Sequence, residues 1–146
     1  MSYGCILWGN SLKKFTKPVT IMQKKSIRLV ANAQYNAHCN PLFEQLKVLP
    51  LHQLLLLQTN QLMHQLVNGS LSLGLTSFFD TLTNQSTHNT RFSVLFTPPQ
   101  TQLSFVHRSF LFLGPQQWHI LPSSLISTIR YSTLTKQLKR HLTVKI

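Results

Sequence analysis

Acidic side chains are almost missing from this sequence. Its 146 residues include two, Glu44 and Asp80, against fourteen Lys and Arg, for a formal charge of +12. Two carboxylates cannot build the clusters that hold Mg²⁺ or run two-carboxylate hydrolysis. Most polymerase, nuclease and glycosidase chemistry carried by this chain alone is therefore excluded. Cysteine is scarce as well. Cys5 and Cys39 make no disulfide framework, so a reduced intracellular setting is expected. The five glycines are isolated, at 4, 9, 69, 74 and 114, and form no phosphate-cradling loop. Long apolar runs are missing too. The longest in the Leu-rich middle is Leu54–Leu57, far short of a bilayer span. Met1–Trp8 has neither the basic start nor the long apolar stretch of a secretory signal.

What is present is basic charge and leucine. Seven cations lie in 1–47 (Lys13, Lys14, Lys17, Lys24, Lys25, Arg28, Lys47) and seven in 91–146 (Arg91, Arg108, Arg130, Lys136, Lys139, Arg140, Lys145). Residues 48–90 have none. Leu occurs 26 times, heavily in that middle. Cations without offsetting acids point to a polyanionic partner, nucleic acid ahead of an anionic membrane surface. A merely solvated face would normally intersperse Glu with Lys.

The pattern predicts a mainly α, small helical domain, with short irregular or β segments around 91–108. The apolar residues 1–9 read as though the chain begins inside a fold. Pro18 suits a first helical position, so a helix is predicted from Pro18 to about Ala33. Val19, Met22, Ile27, Leu29 and Val30 would be buried, with Lys24, Lys25 and Arg28 opposite. Asn40-Pro41 would start a second helix, with Glu44 in its first turn. Leu51–Val67 is the strongest helix, ended by Asn68-Gly69, with Leu51, Leu54, Leu55, Leu62 and Leu66 buried, widened by Leu56, Met63 and Val67. Leu71–Phe79 reads as a short helix or irregular segment. The polar stretch 80–90 reads as a loop between two lobes, 1–79 and 91–146. Arg91–Thr97 and Leu103–Arg108 are candidate strands around Pro98-Pro99. A short helix should follow Pro122 towards Arg130. Ser132 should cap a last helix whose Leu134, Leu138 and Leu142 oppose Lys136, Lys139 and Arg140.

Catalytic and metal signals are weak. Adjacent residues such as His38-Cys39 rarely ligate one zinc ion with good geometry, and Cys5 is distant in sequence, so no metal site is expected. A Cys/His nucleophile pair lacks any local signature. His52 falls on the apolar side of its helix and reads as a core histidine. Trp118, Phe110 and Phe112 read as core. Tyr35, beside the first basic helix, could stack on a base, although packing is the commoner role of a lone Tyr.

Several strings, taken in order, carry a resemblance. Tyr3-Gly4-Cys5-Ile6-Leu7-Trp8-Gly9-Asn10 precedes Met22-Gln23-Lys24-Lys25-Ser26-Ile27-Arg28-Leu29-Val30. Then come His38 with Asn40-Pro41-Leu42-Phe43, Leu46-Lys47-Val48-Leu49-Pro50-Leu51, and Asn89-Thr90-Arg91. Gly114-Pro115 with Trp118-His119-Ile120-Leu121-Pro122 and Leu134-Thr135-Lys136-Gln137-Leu138-Lys139 complete the set. Together they resemble the segment downstream of the polymerase domain in LINE-type, jockey-like non-LTR retrotransposon reverse transcriptases. His119 stands where that family usually has Asn, and Leu134 where it usually has Phe.

The resemblance implies a thumb or post-thumb piece of an RNA-directed DNA polymerase. The palm aspartates and the endonuclease of such enzymes are not in this sequence, so the chain is expected to be non-catalytic. No cofactor, small-molecule substrate or membrane partner is expected. It would grip template RNA or target DNA through the phosphate backbone, with Lys24, Lys25, Arg28, Lys136, Lys139 and Arg140 as contact residues. The rival expectations are a scaffold docking on the upstream polymerase domain and a non-functional transposon relic.

Overall fold

The computed structural model describes residues 4–71, 102–127 and 130–143. In these residues the chain is helical, with no strand among them. The order is α1 (Cys5–Trp8), α2 (Lys13–Val30), α3 (Cys39–Gln45), α4 (Leu51–Val67), a 3₁₀ turn (Val106–Arg108), α5 (Phe110–Ile120), α6 (Ser123–Ile126) and α7 (Tyr131–Thr143). The mainly α expectation holds. The candidate strand at 103–108 does not: the segment closes on itself through Val106 N–H to Leu103 O (3.0 Å) and Ser109 N–H to Val106 O (2.9 Å). Ser109 Oγ reinforces that turn, donating to Val106 O at 2.7 Å. The candidate strand at 91–97, the segment 72–79 and the 80–90 loop lie outside the described residues.

α4 is the central helix, packed against α5 on one side and α7 on another, with α1 also against it. Its start follows from Pro50, and its end is a Schellman turn. Gly69, at φ +63°, gives its N–H to Leu66 O (3.1 Å), and Ser70 N–H reaches Gln65 O (2.9 Å). The bounds match expectation, but of the expected buried face only Leu51 and Met63 are buried. Gln53, Thr59, Asn60 and His64 are buried, whereas Leu54, Leu55, Leu56, Leu62 and Leu66 are only half-buried and Val67 is exposed. Only part of this polar surface is hydrogen-bonded among the described residues: the buried Gln53 Oε1 and Asn60 Oδ1 accept no bond. Asn60 Nδ2 donates to Leu56 O at 2.9 Å, and the His64 ring tilts between Trp118 and Tyr131, with centroids 6.4 and 6.2 Å away. His52, expected in the core, is exposed.

Three apolar clusters hold the helices together. Leu57 of α4 meets Leu125 of α6 and Leu134, Leu138 and Leu142 of α7. Met63 of α4 meets Trp118 of α5, with Phe110, Leu121 and Ile126 around them. Ile27 of α2 meets Cys39 and Phe43 of α3. The first two clusters join residues from both sides of 80–90. Complete burial of Leu134 and Leu138 stabilises by about 1.5–3 kcal/mol each. α5 approaches α4 closely because residue 114 is glycine: a Cβ there would stand 2.9 Å from Met63 Sδ. Trp118, one turn on, shares that buried face.

α2 begins five residues before Pro18. An interior Pro18 forfeits the bond its N–H would give to Lys14 O and crowds that carbonyl with its ring, yet its φ is already helical and the helix continues through it. The expected burial on α2 is also corrected. Met22, Leu29 and Val30 are exposed, Val19 is half-buried, and Ile27 alone is buried. The inward residues are Thr16, Thr20, Gln23 and Ile27, because the Gln23 side chain bonds across to the start of α4. α3 begins at Cys39 with His38 as its N-cap, so Asn40-Pro41 sit inside its first turn and Glu44 beyond it. α6 stops at Ile126, and α7 begins at Tyr131, which puts Ser132 inside it.

Candidate nucleic-acid interface

The six expected contact residues lie on two helices. Lys136, Lys139 and Arg140 are exposed on α7, opposite the buried Leu134, Leu138 and Leu142. That arrangement follows from the 3.6-residue period and agrees with the sequence reading. On α2, Lys24 and Lys25 are exposed and Arg28 is half-buried. Glu44, on α3, is the sole acid among the described residues, and it is exposed.

The cations do not share one hollow. Lys24 stands on the wall of a cleft between α2, α3 and α4, beside Phe43 and His52. Lys25 and Arg28 line a separate cleft of about 330 Å³ with Leu29, Ala33 and Tyr35. Lys139 belongs to a third, a groove of about 440 Å³ between α2, α4 and α7. Its walls include Ile27 and Val30 of α2, Leu54 and Leu57 of α4, Thr143 of α7 and Lys47. Around Ile27, Ser26 and Val30 fall to one flank of α2 and Lys24 and Arg28 to the other. A strand joining the α7 cations to Arg28 would pass over the outward side of α2, where Lys25 stands.

Arg28 braces the loop that follows its helix. α2 ends in a Schellman turn, with Asn32 at φ +49°, its N–H on Leu29 O (3.1 Å) and Ala33 N–H on Arg28 O (2.9 Å). Arg28 Nε donates to Ala37 O at 2.9 Å, and Ala37 N–H closes a turn onto Gln34 O at 3.0 Å. Tyr35 stands at the tip of that turn, 83% exposed. Its packing role is thereby excluded among the described residues.

Lys47 is a cation that the sequence pattern assigns to no helix face. It occupies the left-handed turn that ends α3, at φ +53°, with its N–H on Glu44 O (3.1 Å) and Val48 N–H on Phe43 O (3.0 Å). Glycine is the usual residue there. Periodicity carries no information about a connector residue; a Lys between a helix end and a Pro-initiated helix was the available signal.

Other chemistry is sparse. Among the described residues, no group of three His, Cys, Asp or Glu could hold a metal ion. Cys5 and Cys39 are buried free thiols, and burial pushes the Cys5 thiol up from its ordinary pKa. No described helix is long and apolar enough to cross a membrane. Compared with known protein families, with curated proteins and with solved structures, the chain matches none.

Proposed function

We propose that this chain is a non-catalytic nucleic-acid-binding element, of the kind LINE-type reverse transcriptases carry downstream of their polymerase domain. Template RNA or target DNA is its partner, held by phosphate contacts. The observation that carries the reading is the pair of basic helix faces, Lys24, Lys25 and Arg28 on α2 and Lys136, Lys139 and Arg140 on α7, in a chain with fourteen cations and two acids. Phosphate contacts carry no sequence information, so little sequence preference is expected. The test is a pair of triple variants with Gln at 24, 25 and 28, or at 136, 139 and 140, assayed by fluorescence anisotropy on labelled RNA. Each triple variant should bind more weakly and with a shallower salt dependence. Unchanged binding by both would reject the reading.

A second reading is favoured by one observation: α2 leaves Phe15, Met22, Leu29 and Val30 exposed. In that reading the chain is a scaffold, and these side chains dock on the upstream polymerase domain. Co-expression with that domain separates the two. A scaffold loses association when Met22 and Leu29 become Ser and keeps it when the α2 cations become Gln.

A further inference from the structure

We propose that the cleft formed by Lys25, Arg28, Leu29, Ala33 and Tyr35 holds an unpaired base, so that the chain selects single-stranded nucleic acid over duplex. This rests on the nucleic-acid reading above and narrows it to one strand class. Three observations converge. The Tyr35 ring is 83% exposed, and it is carried on a turn that the Arg28 Nε–Ala37 O and Ala37 N–Gln34 O bonds fix in place. An exposed aromatic on a braced turn offers a stacking face without a large ordering cost. The cleft measures about 330 Å³, at the small end of ligand-sized hollows. Its apolar surface is supplied by Leu29 and Ala33, and its charge by Lys25 and Arg28. Arg28 commits only its Nε among the described residues, which leaves its terminal N–H groups to meet a phosphate. Flat apolar surface beside two cations matches the two halves of a nucleotide.

The choice of strand follows from what an aromatic ring can reach. In a duplex each base face is covered by its neighbours, whereas an unpaired base presents a free π-face. Stacking of this kind is tolerant of sequence, in keeping with the phosphate contacts on either side.

The test uses the full chain with a labelled single-stranded oligouridylate and a duplex of equal length. Tyr35→Ala should weaken single-strand binding by roughly 5- to 150-fold, leave duplex binding unchanged, and leave the salt dependence unchanged because no charge is lost. Tyr35→Phe, which keeps the ring, should bind as the wild type does. Retained duplex binding by Tyr35→Ala also shows that the variant is folded. Equal single-strand affinity of wild type and Tyr35→Ala, with salt-dependent binding intact, overturns the base cleft and leaves the phosphate reading standing. Equal losses on both strands also overturn it. Salt-independent or absent binding by the wild type overturns both.

Discussion

The side-chain amide of Gln23 clamps the peptide either side of Pro50: Oε1 accepts the Leu51 N–H at 2.9 Å, and Nε2 donates to Leu49 O at 3.0 Å. Leu51 is the first residue of α4, and a first-turn N–H has no partner within its own helix. One glutamine thus ties α2 to the start of the central helix. Gln23→Leu should leave both backbone groups without that partner and lower stability by about 1–3 kcal/mol. The measurement is the urea midpoint. An unchanged midpoint would mean that water replaces the amide at no cost.

Lys47 carries backbone strain that glycine would not. Its left-handed φ of +53° is unfavourable for a residue with a Cβ. Lys47→Gly should raise stability by roughly 0.5–1 kcal/mol, the strain relieved less the added freedom of the unfolded chain. Lys47 is not among the six proposed phosphate contacts, so the same substitution should leave the salt slope of single-strand binding unchanged. The urea midpoint checks the stability, and an unchanged or lower midpoint for Lys47→Gly would contradict the strain.

Gly9 is buried where α1 meets α4. A Cβ there would run into the Leu55 side chain and stand 2.6 Å from the Cys5 carbonyl oxygen, which already accepts the Gly9 N–H at 2.7 Å. Because a backbone oxygen cannot swing aside, Gly9→Ala should cost about 1–3 kcal/mol. Gly114→Ala should cost less, because its nearest neighbour is the sulfur of the flexible Met63 side chain. Thermal melts of the two variants rank the two contacts, and a lower Tm for Gly114→Ala would contradict the ranking.

The residues that announced themselves in the sequence were those whose environment is local. Pro50 and Asn68-Gly69 bracket α4, and Leu134, Leu138 and Leu142 recur every four residues, so each could be read from spacing alone. The buried face of α2 could not. Gln23 turns inward for two hydrogen bonds to a connector 26 and 28 residues away, and this leaves Met22, Leu29 and Val30 in solvent. His64 is buried for the same kind of reason, its ring tilted between an aromatic pair from α5 and α7, whereas buried Asn60 gives its Nδ2 to a carbonyl of its own helix. At the site, the cations of α7 were legible as a face. The separation of Lys139 from Arg28 by the body of α2, and the placing of Lys47 on the same groove as Lys139, depend on how helices distant in sequence dock.

The most direct test of nucleic-acid binding is the affinity of the purified chain for a single-stranded oligonucleotide, measured across a salt series. Six engaged cations predict a log–log slope of about −4 on single strands and about −5 on duplex, because each phosphate contact releases condensed counterions. A slope of −4 or steeper on the single strand is the expected result. A flat dependence would contradict phosphate binding by these helices.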